Sequence, residues 1–247
     1  MRRRVLACAM ALTMAGCAAW RPLTVPMRSI AVPGACAAPV DTLLVLLPGS
    51  YSLPEEFERE GFLDAVRAHR LAADLLLVDA HVGYYHQRSV VDRLQADVIA
   101  PARARGYRNI WLAGISIGGL GAMLYAEARP GEVDGLVLLA PYLGTPLVAK
   151  DIANAGGLAA WRAPPAPVAQ DLDAGLWRWL QQQTGPAAAT PPLWLGYGLD
   201  DRFATNAEQL RRALPATRVF TAPGGHDWPV WTGLWQRMLP ALPIPRC

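Results

Sequence analysis

Trp111-Leu-Ala-Gly-Ile-Ser116-Ile-Gly-Gly-Leu-Gly121 joins a short apolar run to a small-residue run with helical character. Its centre reads Gly114-x-Ser116-x-Gly118. A strand that turns sharply into a helix is crowded at the corner, and glycines on both sides relieve the crowding while the serine is lifted clear. A serine hydroxyl is a weak nucleophile until a neighbouring base takes its proton. The five residues alone also fit a plain strand–helix turn with a capping serine, so the decision rests on the rest of the chain.

Outward from Ser116, apolar runs alternate with helical patterns from Asp41 onward. Residues Thr42–Leu47, Asp74–Val78, Asn109–Ile115, Gly135–Leu139, Leu193–Tyr197 and Arg218–Thr221 read as strands. They are short and apolar throughout, as strands covered on both faces must be. Between them Pro54–Arg70, Ser89–Arg105, Ile117–Arg129, Thr205–Leu214 and Trp228–Leu239 read as helices. This alternation predicts an α/β domain over 41–247 with a mostly parallel sheet, helices on both faces, and its site at the carboxyl ends of the strands. One excursion, about 142–192, breaks the rhythm. It carries Trp161, Trp177 and Trp179, and a helical pattern over Asp171–Gln183. A cap inserted over the site is the expected role, with a surface insertion packed on the body as the rival.

The chain has four histidines, at 69, 81, 86 and 226, and only His226 follows Ser116. It stands in the glycine-rich turn Pro223-Gly-Gly-His226-Asp-Trp228, between the last strand and the last helix. Between serine and histidine, Gly198-Leu-Asp200-Asp201-Arg202 offers a carboxylate to orient the imidazole, Asp201 in preference to Asp200. The other acid is expected to cap the next turn or pair with Arg202. Nucleophile, acid and base in that order form an acyl-transfer set. Two N–H donors are needed for the oxyanion. Ile117 follows the serine at the helix start. The loop Leu47-Pro48-Gly49-Ser50-Tyr51 supplies the second donor, Ser50 first and Tyr51 next.

These motifs resemble the α/β-hydrolases of the bacterial serine esterase and lipase kind, over roughly residues 41–242. The resemblance implies the α/β-hydrolase fold, an acyl-enzyme mechanism on Ser116, Asp201 and His226, and no cofactor. Pro48-Gly49 stands where the family commonly has His-Gly, and the region before Asp41 is too short for both of the family's leading antiparallel strands. Tyr51, Tyr84, Tyr85 and Trp228 are candidates for the pocket wall. Asp79, His81 and His86 lack the spacing of a ligand pair on one helix, so no metal site is expected. The implied substrate is a small-molecule or lipid carboxylic ester. A thioesterase or acyltransferase on the same groups is the alternative, and so is a non-catalytic binding protein anchored to the envelope.

The start of the chain tells of compartment. Arg2-Arg3-Arg4 precede an apolar stretch from Val5 to Ala15, then Gly16-Cys17. Basic head, short apolar body and small residues form an export signal over 1–16. The segment 17–40, with Pro22, Pro26, Pro33 and Pro39, reads as a tether with one short edge strand near Arg28–Val32. Cys17 after Met14-Ala15-Gly16 resembles the bacterial lipoprotein signal, which implies lipidation of Cys17 and a membrane-anchored location in the cell envelope. Ala18 implies the periplasmic face of an outer membrane where the host has one. A cut near Ala18 or Ala19, leaving a soluble secreted or periplasmic protein, is the alternative. The three arginines account for the whole excess of 23 basic over 20 acidic residues. The rest is balanced, which argues against a nucleic-acid partner. Cys36 and Cys247 remain, and an oxidising compartment permits a disulfide between them.

Overall fold

The computed structural model describes residues 21–163, 172–185 and 191–247. The expected signal segment 1–16, Cys17 and residues 18–20 lie outside this range. So do 164–171 and 186–190 of the excursion. In chain order the elements are β1 (Ser29–Val32), β2 (Thr42–Leu47), α1 (Glu56–Arg59), α2 (Phe62–Ala68), β3 (Asp74–Val78), α3 (Val82–His86) and α4 (Val90–Arg93). A π-helical segment (Leu94–Ile99) leads into α5 (Ala100–Ala104), followed by β4 (Asn109–Ile115), α6 (Ile117–Ala128), β5 (Gly135–Leu139), α7 (Pro146–Asn154) and α8 (Leu172–Thr184). Then come β6 (Leu193–Gly198), α9 (Ala204–Ala213), β7 (Val219–Ala222) and α10 (Trp228–Met238).

The seven strands form one sheet in the order β1-β3-β2-β4-β5-β6-β7. β1 is antiparallel to β3, and the other pairings are parallel. Every residue of β2 is buried, because successive side chains enter two different cores. Leu43, Val45 and Leu47 join the cluster under α4, α6, α8 and α9. Leu44 and Leu46 join the one under α2 and α10. The chain steps from β2 outward to β3 and then back to β4 on β2's other side. The crevice for a ligand therefore opens where β2 and β4 run side by side, with Leu47 level with Gly114.

The expected helix 54–70 is two helices. Gly61 adopts φ 78° at the start of α2, a left-handed conformation that breaks the α-ladder. The excursion carries α7 as well as the anticipated α8. Its described part packs on the body, with Leu176, Trp177, Trp179 and Leu180 buried in the α6-side core. Trp177 Nε1 donates to Leu143 O at 2.8 Å.

The edge strand expected near Arg28–Val32 is present as β1, and the rest of residues 21–32 is bound to the domain rather than free. Arg21 pairs with Asp79 and donates to Ser52 O at 3.0 Å. The Thr24 N–H donates to Tyr84 Oη, whose hydroxyl returns to Thr24 O at 2.9 Å. The Met27 N–H donates to Asp97 Oδ2 at 2.9 Å, and β1 completes the sheet edge. Buried polar groups need partners, and this strap and the loops beneath it satisfy each other.

At the opposite, amino-terminal end of the strands, Cys36 and Cys247 form a disulfide, 211 residues apart in sequence. The Cys247 N–H donates to Arg70 O at 2.9 Å, and Ala72 N–H to Pro245 O at 2.7 Å. The link closes a long loop in the unfolded chain, so Cys36→Ser with Cys247→Ser is expected to lower unfolding free energy by about 2–4 kcal/mol. Denaturant melts with and without reductant measure the difference.

Candidate active site

Ser116 caps β4 with φ 55° and ψ −116°, a backbone conformation rare for a residue with a side chain. Strain of about 1–3 kcal/mol survives only where surroundings impose it. Here the Ser116 N–H donates to Leu139 O at 2.9 Å, and Ser116 O accepts the Tyr142 N–H at 3.0 Å. The flanking glycines are required by contact. A Cβ on Gly114 would lie 2.3 Å from the Gly118 carbonyl carbon, and one on Gly118 would lie 2.2 Å from Leu47 O.

His226 Nε2 lies 3.0 Å from Ser116 Oγ, and Nδ1 lies 2.7 Å from Asp201 Oδ2. A carboxylate only accepts, so Nδ1 carries the hydrogen and Nε2 offers its lone pair to the serine hydroxyl. The Asp201 side chain is 1% exposed and the His226 side chain 10%. The imidazole is held edge-on between Phe203 and Trp231, with ring centroids at 5.1 and 5.0 Å. Neither aromatic belongs to a recognisable motif. Phe203 stands two residues beyond the acid, and Trp231 belongs with Trp228 and Trp235 to an i, i+3, i+7 stripe that reads as core first and pocket wall second.

The two aspartates divide the work differently from expectation. Asp201 itself makes the local turn, its Oδ1 accepting the Phe203 N–H at 2.8 Å. Asp200 neither caps that turn nor pairs with Arg202. Its Oδ2 accepts the Gly224 N–H at 3.1 Å, and its own N–H donates to Gly224 O at 3.0 Å. It thereby clamps the histidine turn onto β6. Asp227 fixes the other side of that turn, capping α10 by accepting the Val230 N–H at 3.2 Å.

The loop after β2 stands beside the serine. A Cβ on Gly49 would lie 3.8 Å from Ser116 Cβ. Ser52 N–H donates to Gly49 O, which makes Ser50 and Tyr51 the central residues of a turn. The N–H groups of Ser50, Tyr51 and Ile117 donate to no backbone carbonyl among the described residues.

Of the pocket candidates, the Tyr51 side chain is largely exposed, and Trp228 packs edge-on against Phe57, Phe62 and Trp231 with its Nε1 on Glu56. Tyr84 is no pocket wall: it is buried, with its hydroxyl committed to Thr24. Tyr85 Oη is buried against Gly121, one turn and a half along α6 from the serine. His81 is buried on the strap side, its Nδ1 accepting the Gly83 N–H at 3.2 Å. Among the described residues no cluster of three or more His, Cys, Asp or Glu is placed to hold a metal ion.

A family model described as Hydrolase_4, serine aminopeptidase S33, matches residues 86–185, a span that contains Ser116 but neither Asp201 nor His226. A search of curated protein sequences finds no match. Among solved structures, Est1E from Butyrivibrio proteoclasticus superposes with TM-score 0.59 at 17% identity, covering 86% of this chain and 91% of that one. The S-formylglutathione hydrolase of Staphylococcus aureus gives 0.55 at 16%, covering 82% and 80%. A fluorophosphonate-binding serine hydrolase of the same organism gives 0.53 at 16%, covering 87% and 98%. The chain has the α/β-hydrolase fold. Within that fold, the carboxyl ends of β2, β4, β6 and β7 deliver the Ser50 turn, Ser116, Asp201 and His226 to one place.

Two measurements check the local physics. Gly118→Ala drives a methyl into Leu47 O and is expected to reduce unfolding free energy by at least about 2 kcal/mol. Gly233→Ala meets nothing within 4 Å and is expected to raise it by up to about 1 kcal/mol, as alanine replaces glycine inside a helix. His81 is held below its ordinary value of 6.5 by burial first and by the Arg21 cation second, against the opposing effect of Asp79 and a backbone hydrogen bond to Pro22. The unfolded chain then takes up a proton that the folded chain refuses. Stability is therefore expected to fall as pH drops below 6.5 and toward the lowered folded value, and His81→Gln should flatten that slope in melts at stepped pH.

Proposed function

We propose that the protein is a serine hydrolase that cleaves carboxylic esters through an acyl-enzyme. One observation carries the reading: Asp201, His226 and the strained Ser116 form an unbroken hydrogen-bonded line in a water-poor setting. His226 Nε2 takes the hydroxyl proton as Ser116 Oγ attacks the ester carbonyl. The N–H groups of Ile117 and Ser50 face the charge that develops on the carbonyl oxygen. His226 then returns the proton to the leaving alcohol, and in the second half it activates water against the acyl-serine. Asp201 holds the imidazole in the required tautomer and stabilises its cation. No step calls for a metal or an organic cofactor.

The family description raises cleavage at a peptide amino terminus. That reaction needs a free carboxylate to receive the substrate's ammonium group. Among the described residues on the strands' carboxyl-end loops, Glu55, Asp79, Asp173, Asp200, Asp201 and Asp227 are already engaged by Arg28, Arg21, the Thr145 N–H, the Gly224 N–H, His226 and the Val230 N–H. Glu56 receives Trp228 Nε1. A neutral ester needs no such partner, while Asp173, Asp200 and Asp227, each paired with a backbone N–H, keep their negative charge, so an aminoacyl p-nitroanilide belongs beside the esters in the test. A thioester or a transfer to an alcohol would use the same atoms.

The test is a p-nitrophenyl ester series of rising acyl length together with a fluorophosphonate probe. Wild type is expected to hydrolyse the esters and take the label. Ser116→Ala should lose the label and at least about 10⁴-fold in kcat/KM. Asp201→Asn should lose about 10³–10⁴-fold, whereas Asp200→Asn, which loosens the histidine turn only, should lose about tenfold. Equal rates for wild type and Ser116→Ala would refute the assignment.

A further inference from the structure

The strap that begins at Arg21 crosses the same end of the sheet as Ser116. Arg21 holds the carbonyl of Ser52, the residue whose N–H closes the turn carrying Ser50, and also Asp79 at the end of β3. Because β1 runs antiparallel to β3, residues 21–28 lie at the carboxyl ends of the parallel strands. Arg21 is four steps along the chain from Cys17. Fully extended, four steps span no more than about 14 Å. Whatever is attached at Cys17 is therefore held close to the loops that frame the serine, and on the opposite side of the domain from the disulfide.

An independent feature marks the same end. Among the described residues, the large hydrophobic side chains left exposed are Val25 (72%), Tyr51 (71%), Leu53 (40%), Leu147 (70%), Leu172 (53%) and Leu199 (56%). Val25 lies on the strap. Tyr51 and Leu53 follow β2, Leu147 follows β5, and Leu199 follows β6. Leu172 opens α8 beside Asp173, which receives the Thr145 N–H at 2.7 Å and so joins it to the loop before α7. None of the six belongs to the amino-terminal end, where Cys36, Cys247, Asp41 and Arg108 lie. Singly exposed apolar groups need no cause; what these share is the end of the domain at which they lie, the end where the strap begins.

We propose that this end of the domain is seated on the lipid bilayer that holds the Cys17 anchor, so that the mouth of the Ser116 site opens toward the membrane and takes esters with an acyl chain resident in that bilayer. The anchor fixes the distance, and the leucines, Val25 and Tyr51 give the apolar contact that a short tether alone would not orient. The proposal rests on the hydrolase reading above for its substrate and on the sequence at Cys17 for its anchor.

The experiment uses the full chain, produced in a bacterium with its own amino terminus and reconstituted in phosphatidylethanolamine/phosphatidylglycerol vesicles. Mass spectrometry of the mature amino terminus is expected to show a lipid on Cys17, and an unmodified start at Ala18 or Ala19 would overturn the proposal. A fluorophore on Leu53→Cys should be quenched by nitroxide-bearing lipid, while one on Arg108→Cys should not. Equal quenching, or the reverse order, would overturn it. Leu53→Asp with Leu147→Asp should lower turnover of a vesicle-embedded fluorogenic ester by at least about tenfold, from the lost burial of two leucines. It should leave hydrolysis of dissolved p-nitrophenyl acetate within about twofold, since neither leucine touches the reacting groups. Parallel loss on both esters, or loss on neither, would overturn it. If wild type cleaves neither ester, the hydrolase reading fails instead, and the quenching contrast still decides the orientation.

Discussion

The near-contact of Gly118 with the carbonyl of Leu47 is the constraint on which the site depends. It lets the first turn of α6 sit directly against the end of β2, so that Ser116 and the loop carrying Ser50 become neighbours. A side chain at 118 would push helix and strand apart. The serine would then lose the neighbouring loop that carries Gly49 and Ser50, whatever happened to the histidine. The strained backbone at Ser116 is the other side of the same bargain: hydrogen bonds from the ends of β4, β5 and the Tyr142 loop hold a conformation that a free chain would leave.

Around that corner the polar residues keep distinct duties. Asp201 serves the imidazole and its own turn, while Asp200 ties the glycine turn of His226 to the end of β6. Gly198 permits this, since a Cβ there would lie 2.3 Å from Gly224 O. Asn206 plays a matching role for the next loop, its amide donating to the carbonyls of Leu143, Gly144 and Thr145. The ring of His226 is steadied by Phe203 and Trp231, which also shield its link to Asp201 from water.

Much of this was legible from sequence because it follows from local rules. Continuous apolar runs marked the strands of a doubly covered sheet, and the order of serine, acid and histidine narrowed the candidates to few. What sequence missed depends on contacts distant along the chain. The break at Gly61 is a single glycine within an otherwise helical pattern. The short helix Val82–His86 is too brief for a periodic signal. The proline-rich segment before Asp41 showed its edge strand but otherwise read as a tether, because its partners, Asp79, Tyr84 and Asp97, lie far along the chain. Tyr84 looked like a pocket wall for the same reason: the backbone that needs its hydroxyl is 60 residues away.

The bond between Cys36 and Cys247 makes the domain a covalent ring. A single peptide cleavage anywhere between them, whether on an exposed loop or inside the excursion, leaves one molecule rather than two fragments. The broken ends stay attached through the disulfide, and the packed cores give them little freedom to part. Residues before Cys36 stand outside this ring as a tail. A cut there leaves the ring whole and the tail's leading portion held by β1 pairing and hydrogen bonds alone, so the same break has different consequences on the two sides of Cys36.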